Sequence, residues 1–256
     1  MHWTAASPDS ALAGVRALVS SKQAPANRAR SAPTRRAVLP SVLLKFVMAV
    51  SGGFMLLYLL LHMVGNLKIF LGAAALDGYA AWLRTILEPA VPYEGTLWFV
   101  RFVLTVSILA HIWSATVLTL RARRARPVKY AVRNKVAGSY AARTMRWGGV
   151  IVVLFVIYHL LDLTTGTLNP HGVHLQVYDN LHADFSPARW YVTLFYVLAV
   201  LAVGVHVRHG LWSGLQTLGW SNNARQRRLK GFSTAFALVL TAGFLSVPLA
   251  VTFGLV

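Results

Sequence analysis

Five long apolar runs dominate the pattern of this chain, at about 42–71, 96–120, 147–168, 190–218 and 232–255. Each supplies the roughly 20 helical residues that cross a hydrocarbon core about 30 Å thick. None shows the strict apolar and polar alternation of a barrel strand, and backbone groups in lipid must pair within their own segment. The pattern therefore predicts an all-α membrane protein, with five transmembrane helices in a bundle spanning 41–256. Composition agrees: 56% of the 256 residues are hydrophobic and only 12% are charged, about half the charged share of an ordinary soluble domain.

Charge then orients the bundle. Residues 1–40 carry six Lys or Arg, 121–146 carry nine and 219–230 carry four, so nineteen of the 25 basic residues fall in segments that five alternating crossings put on one side. The positive-inside rule places the N-terminus and these segments in the cytoplasm and the C-terminus on the exterior. The expected location is the cell inner (plasma) membrane, with multiple passes through the lipid bilayer. Topology also accounts for the basic run RARRARPVKYAVRNK (121–135), so no nucleic-acid partner is expected. Residues 1–40, rich in Ala, Ser, Arg and Pro, read as a basic, disordered cytoplasmic tail. The paired arginines in TRRAVLP precede an apolar stretch too long for a cleaved signal. The chain has no cysteine, so disulfides and thiolate ligands are excluded.

Histidine supplies the candidate chemistry. Of nine in the chain, five lie inside apolar runs, and four of these, one in each of the first four runs, are nearly evenly spaced: His62, His111, His159 and His206, separated by 49, 48 and 47 residues. An ionisable side chain within a membrane span is costly and marks function by default. Depth sorts the four into two levels. His62 lies about 20 residues along an outward-running helix, roughly 30 Å from its start, and His159 lies past the midpoint of another. His111 and His206 fall in the cytoplasmic halves of inward-running helices. Two six-coordinate haems, each held between imidazoles from two helices, suit this arrangement. His62 pairs with His159 at an outer site, and His111 with His206 at an inner one.

Ser51 and Gly148 stand eleven residues before His62 and His159, almost three turns and roughly 16 Å toward the cytoplasm on the same helix faces. With Gly52 and Gly149 they either leave room for the inner macrocycle or allow close helix packing. His209 is a second candidate one turn from His206. His171, His174 and His182 lie in a polar connection and read as solvated.

The pieces LHMVGNLKIF around His62, LAHIWSATVLT around His111, YHLLDLT around His159 and HVRHGLWSGLQTLG from His206 together make residues 42–255 resemble the cytochrome b anchor subunit of succinate dehydrogenases and fumarate reductases, in its five-helix, di-haem form. In that family a ligand histidine precedes glycines by four and thirteen residues, offsets that Gly210 and Gly219 hold from His206 and not from His209. The resemblance implies two b-type haems, a membrane quinone (menaquinone) as electron acceptor, and flavoprotein and iron-sulfur subunits docked on the cytoplasmic face. It implies no succinate site in this chain. Quinone chemistry needs proton-exchanging groups beside an apolar slot. Asp162 near the outer surface and Asp77, Tyr79, Trp82 and Arg84 in the outer connection are the candidates, although Asp162 has the alternative of satisfying a neighbouring helix or Lys68. Glu88 lies in the same connection. Lys45, Arg143 and Arg146 inside, and Lys68 and Arg101 outside, are candidate partners for haem propionates.

Two other readings compete. A cytochrome b subunit of another quinone-linked dehydrogenase keeps the electron path and changes the partner. A proton-coupled transporter uses the buried His and Asp as a relay, and predicts a continuous polar path or an internal repeat.

Overall fold

The computed structural model describes residues 39–125 and 137–256, with side chains from 145 onward in the second segment. The N-terminal tail and most of the basic run 121–135 lie outside the described residues. What is described is helical, with no strand among those residues. Five helical segments are long and apolar enough to cross a membrane: Ser41–Leu71, Gly95–Arg124, Met145–Thr164, Pro187–Thr217 and Gln226–Thr252.

Pro40, extended at φ −60° and ψ 144°, opens α1 (Ser41–Asn66). A 3-10 turn over Leu67–Leu71 follows, and Gly72 at φ 89° breaks the direction before α2 (Ala73–Thr85). That backbone angle is one that side chains with a Cβ rarely tolerate. Then come α3 (Gly95–Arg124) and α4 (Ala137–His159), which passes into a π turn over Leu160–Thr164. The short α5 (Val177–Asp184) and a 3-10 turn at Pro187–Arg189 lead into α6 (Trp190–Thr217). Finally α7 (Gln226–Thr252) recrosses the bundle.

Packing makes α1 and α6 the central pair. α1 lies against α3, α6 and α7, while α6 lies against α1, α4 and α7. Outward faces carry large apolar side chains at helical spacing, such as Phe54, Leu57 and Leu61 on α1 and Ile151, Leu154 and Ile157 on α4. In water such surface would drive association, whereas lipid tails solvate it at no cost. Small residues let the helices approach. A Cβ at Gly204 of α6 would run into the Thr241 side chain of α7, and one at Gly243 of α7 into Met63 of α1. Such close contacts supply van der Waals attraction where no hydrophobic drive exists between lipid-immersed helices.

The 72–95 and 169–189 connections, read from sequence as plain links, contain α2 and α5, which pack on each other. Leu76 of α2, Leu181 of α5 and the adjoining Phe185 are buried with Ile69, Val192, Tyr196, Val247 and Val251 in one cluster that caps this end of the bundle. Arg121, Arg123 and Arg124 at the end of α3, and Arg225, Arg227, Arg228 and Lys230 at the start of α7, lie at the opposite end.

Candidate cofactor site: two stacked imidazole pairs

Four intramembrane histidines each meet a histidine from another helix. The rings of His62 on α1 and His159 on α4 have centres 5.9 Å apart and planes 79° apart. Those of His111 on α3 and His206 on α6 are 6.3 Å and 61° apart. The two pairs sit at different levels. Ser51 Oγ is 3.4 Å from His111 Nδ1, which puts Ser51 beside the His111/His206 pair. His62 stands eleven residues further along α1, so the pairs are about 16 Å apart along the bundle.

The ring separations bear on what the pairs can hold. Imidazole nitrogens bond transition metals at about 2.0 Å, and each lies about 1.1 Å from its ring centre. Two imidazoles on opposite sides of one metal therefore have centres about 6.3 Å apart. Both pairs are near this value. Two protein ligands are too few for a bare ion, which takes four or more. Among the described residues no group of three or more His, Asp or Glu converges on a metal position. A metal carried in a macrocycle that supplies most of its ligands would need only the two imidazoles that each pair could offer.

Hydrogen bonds favour the same use. His111 Nδ1 lies 3.1 Å from the Met48 carbonyl, which can only accept, so Nδ1 carries the proton and the Nε2 lone pair is free. At His159 the Tyr196 hydroxyl lies 3.5 Å from Nδ1, and it donates to Asp162 Oδ2 at 2.7 Å. Its proton being committed there, the hydroxyl accepts from His159 Nδ1–H, again leaving Nε2 free. Such outer contacts orient a ligand imidazole and raise its basicity. His206 Nδ1 is buried with no hydrogen-bond partner.

Space beside the inner pair is bounded by glycines and by aliphatic and aromatic side chains, Trp147 among them. A Cβ on Gly52 would lie 3.4 Å from His111, and one on Gly149 3.8 Å from His206. A cavity of about 340 Å³ is lined by His206, Gly148, Ile151, Ala202 and Val205. A second, of about 850 Å³, opens at the basic end between α1, α3 and α6, where Lys45, Met48, Arg121 and Gln216 line it. Ser51 also donates to the Val47 carbonyl at 2.7 Å, so it serves helix geometry as well as space. His209 turns its ring edge-on to Trp212, 5.5 Å between centres. The ring that faces His111 is His206.

The other sequence candidates are distributed over the α2/α5 end. Asp162 is fully buried and satisfies the neighbouring helix through Tyr196 rather than Lys68, which lies over the Tyr79 ring. Asp77 Oδ1 accepts the Tyr178 amide at 3.0 Å, tying α2 to α5. Tyr79 stacks with Trp82, and Arg84 pairs with Glu94 at 2.9 Å. Arg101 covers Trp98, and the side chain of Arg143 lies outside the described residues. His171 and His174 are exposed, as expected of solvated residues, but His182 is half-buried, with ring nitrogens 2.9 Å from the Tyr178 carbonyl and 3.1 Å from that of Val256.

Sequence reasoning overlooked Tyr196, Asp184 and Arg189. Asp184 is fully buried and paired with Arg189 at 2.9 Å. Burial, reinforced by Asp162 and opposed by Arg189, pushes its carboxyl from 3.8 up to about 7. The folded protein thus keeps a proton that the unfolded chain releases, and the Asp184 contribution to stability falls as pH rises from about 3.8 to about 7. Thermal melts across that window should show the decline, and Asp184→Asn should flatten it.

The fold and its buried residues define a class: an α-helical membrane protein with five spans and two stacked imidazole pairs. No protein-family profile, curated protein or solved structure matches this chain.

Proposed function

We propose that this chain is the membrane anchor and cytochrome b subunit of a succinate:quinone oxidoreductase, working with flavoprotein and iron-sulfur subunits to reduce a membrane quinone, menaquinone. The observation that carries the reading is the pair of stacked bis-imidazole sites, with ring separations of 5.9 and 6.3 Å, drawn from four different helices. Two b-type haems bound there would supply one-electron transfer across the bilayer. His62 and His159 hold the outer group, and His111 and His206 the inner one. Met48 and Tyr196 fix the ligand tautomers. Lys45 and Arg121, at the mouth of the large cavity beside Met48, provide cations for propionates at the basic end. The apolar walls keep water from the transferring groups. The basic segments offer a docking surface for the soluble subunits on the cytoplasmic face, and Asp162 with the polar groups of α2 offers proton exchange for quinone at the other end.

The deciding experiment is a reduced-minus-oxidised spectrum of the purified complex, with haem quantified against protein. Two b-type haems per chain are expected. A complex without haem would overturn the reading and return the transporter alternative. Orientation has its own test: a reporter fused at residue 130 should behave as cytoplasmic and one fused after Val256 as exterior, because the basic segments stay inside. A cytoplasmic signal from the second fusion would reverse the assignment.

A further inference from the structure

The outward seam between α6 and α7 carries two cations and no anion. Arg208 is exposed, although it lies inside the apolar run 190–218, well before the end of α6 at Thr217. Its Nε donates to Thr234 Oγ1 of α7 at 2.9 Å, and Thr234 gives its own proton to the Lys230 carbonyl at 2.8 Å. Both Nη groups of Arg208 are left without a hydrogen-bond partner among the described residues. One turn nearer the basic end, Lys230 is also exposed, and its Nζ stands 5.0 Å from the centre of the Trp212 ring. Trp212 follows Arg208 by one turn on α6, as Thr234 follows Lys230 on α7, so the four side chains share one face of the helix pair. Trp212 Nε1 donates to Gln226 Oε1 at 3.1 Å, which fixes the indole across the seam.

Neither cation has a carboxylate to meet. Asp77, Glu88, Glu94, Asp162, Asp179 and Asp184 all belong to the α2/α5 end, and α6 and α7 contain no Asp or Glu. The remaining acid, Asp9, lies outside the described residues. The described residues of a second copy would bring no acid to this level either. An arginine facing lipid without a counter-charge is costly, and two cations about one turn, roughly 6 Å, apart repel each other. A single anion between them removes both penalties.

Depth selects the anion. Thr234 stands just inside the apolar run 232–255 and Lys230 just before it, so the two cations straddle the edge of the hydrocarbon, where the headgroup region of a leaflet begins. Trp212 suits the same boundary, with an apolar body and a polar N–H. Deeper in the bilayer the two helix faces continue with Leu201, two turns from Arg208, and Leu238, one turn from Thr234, both exposed. They offer acyl chains an apolar track. Free inorganic phosphate has the charge but no use for the leucines.

We propose that the α6/α7 seam binds an anionic phospholipid from the leaflet at the basic end, its phosphate held by the Arg208 guanidinium and the Lys230 ammonium and its acyl chains laid along Leu201 and Leu238. Arginine matches phosphate oxygens two at a time, and lysine adds a point charge. Basic seams between helices are suited to lipid headgroups in this way. None of these residues lines the Lys45/Arg121 cavity, and the site needs neither haem nor the function proposed above.

The test is a thermal melt of the purified full chain in neutral detergent, titrated separately with phosphatidylglycerol, phosphatidylcholine and inorganic phosphate, since a ligand of the folded state raises the melting temperature. Phosphatidylglycerol should raise it at concentrations where the other two do not. Arg208→Gln should weaken phosphatidylglycerol binding about tenfold or more, through loss of charge-assisted hydrogen bonds, and Lys230→Gln should weaken it less. Arg124→Gln, at an exposed position at the end of α3, should bind as the wild type does. Each variant is compared with its own lipid-free melt, so a change in intrinsic stability does not mimic lost binding. Equal shifts with phosphatidylglycerol and phosphatidylcholine overturn the proposal, and an equal shift with inorganic phosphate overturns the assignment to lipid. A loss in Arg124→Gln as large as that in Arg208→Gln would show diffuse attraction to a basic surface and overturn the site. Binding unchanged in both Arg208→Gln and Lys230→Gln would place the lipid elsewhere.

Discussion

On the function proposed above, His206→Ala should lower the haem content of the purified complex by about half, and His209→Ala should leave it unchanged. This expectation follows from which ring meets a partner. His206 faces His111 at 6.3 Å between ring centres, whereas His209 lies against Trp212. A haem held there would lose one of its two imidazoles, a strong bond that an alanine side chain cannot replace, so the loss should be near complete at that level of the bundle. The other pair, about 16 Å further along α1, keeps both ligands, and its spectrum should persist. His111→Ala should match His206→Ala, and His62→Ala should match His159→Ala with the opposite haem surviving. Because a bound group stabilises only the folded state, each variant should also melt earlier than the wild type. Loss of haem in His209→Ala with retention in His206→Ala would transfer the ligand role.

The second large effect is expected from a residue that touches no cofactor. Gly204→Leu should disperse the bundle, because a Cβ alone at this position already runs into Thr241 of α7, and the remaining leucine atoms have nowhere to go. Overpacking a close contact costs about 1–3 kcal/mol or more. At roughly 2–4 °C of melting temperature per kcal/mol for a chain of this size, the shift amounts to several degrees. Size-exclusion profiles in mild detergent, with a thermal melt, read the outcome. Gly53→Leu is the matched control, since the space beside Gly53 is open and leucine is the better helix former. A Gly204→Leu protein with wild-type elution and melting would show that α6 and α7 do not pack as closely as described.

Much of this molecule was legible without coordinates because the relevant signals are local. An apolar run of membrane length announces a helix whatever its neighbours are, and the five spans begin and end close to where the pattern places them, except that α4 and α7 start earlier, at Ala137 and Gln226. Histidine in lipid is conspicuous by residue type, and depth follows from counting at 1.5 Å per residue, so sorting into two levels required no contact information. Ser51 was legible in the same way, eleven residues from His62 on one face, although its hydrogen bond to Val47 was not. The caps were less visible. Ala-rich α2 and the mixed sequence of α5 are too short to carry a clear period, and they are organised by burying Leu76, Leu181 and Phe185 against one another. His182 left the solvent for the same reason, since α5 brings it to the Val256 carbonyl.

Chain connectivity by itself determined a helical membrane protein with four intramembrane imidazoles at two depths. Depth also pairs His62 with His159 and His111 with His206, and the structure brings those rings together; only the tertiary structure decided that Asp162 takes the Tyr196 hydroxyl. The reason is distance along the chain. Asp162 and Tyr196 are 34 residues apart, and no periodicity in either segment reports which face of α4 turns toward α6. A π turn over Leu160–Thr164, closed by the Thr165 amide on the Leu160 carbonyl at 2.8 Å, further shifts Asp162 off the ordinary helical register. Side-chain chemistry and depth are properties of a segment, whereas the contacts of Tyr196 with His159 and Asp162 exist only once α4 and α6 have packed.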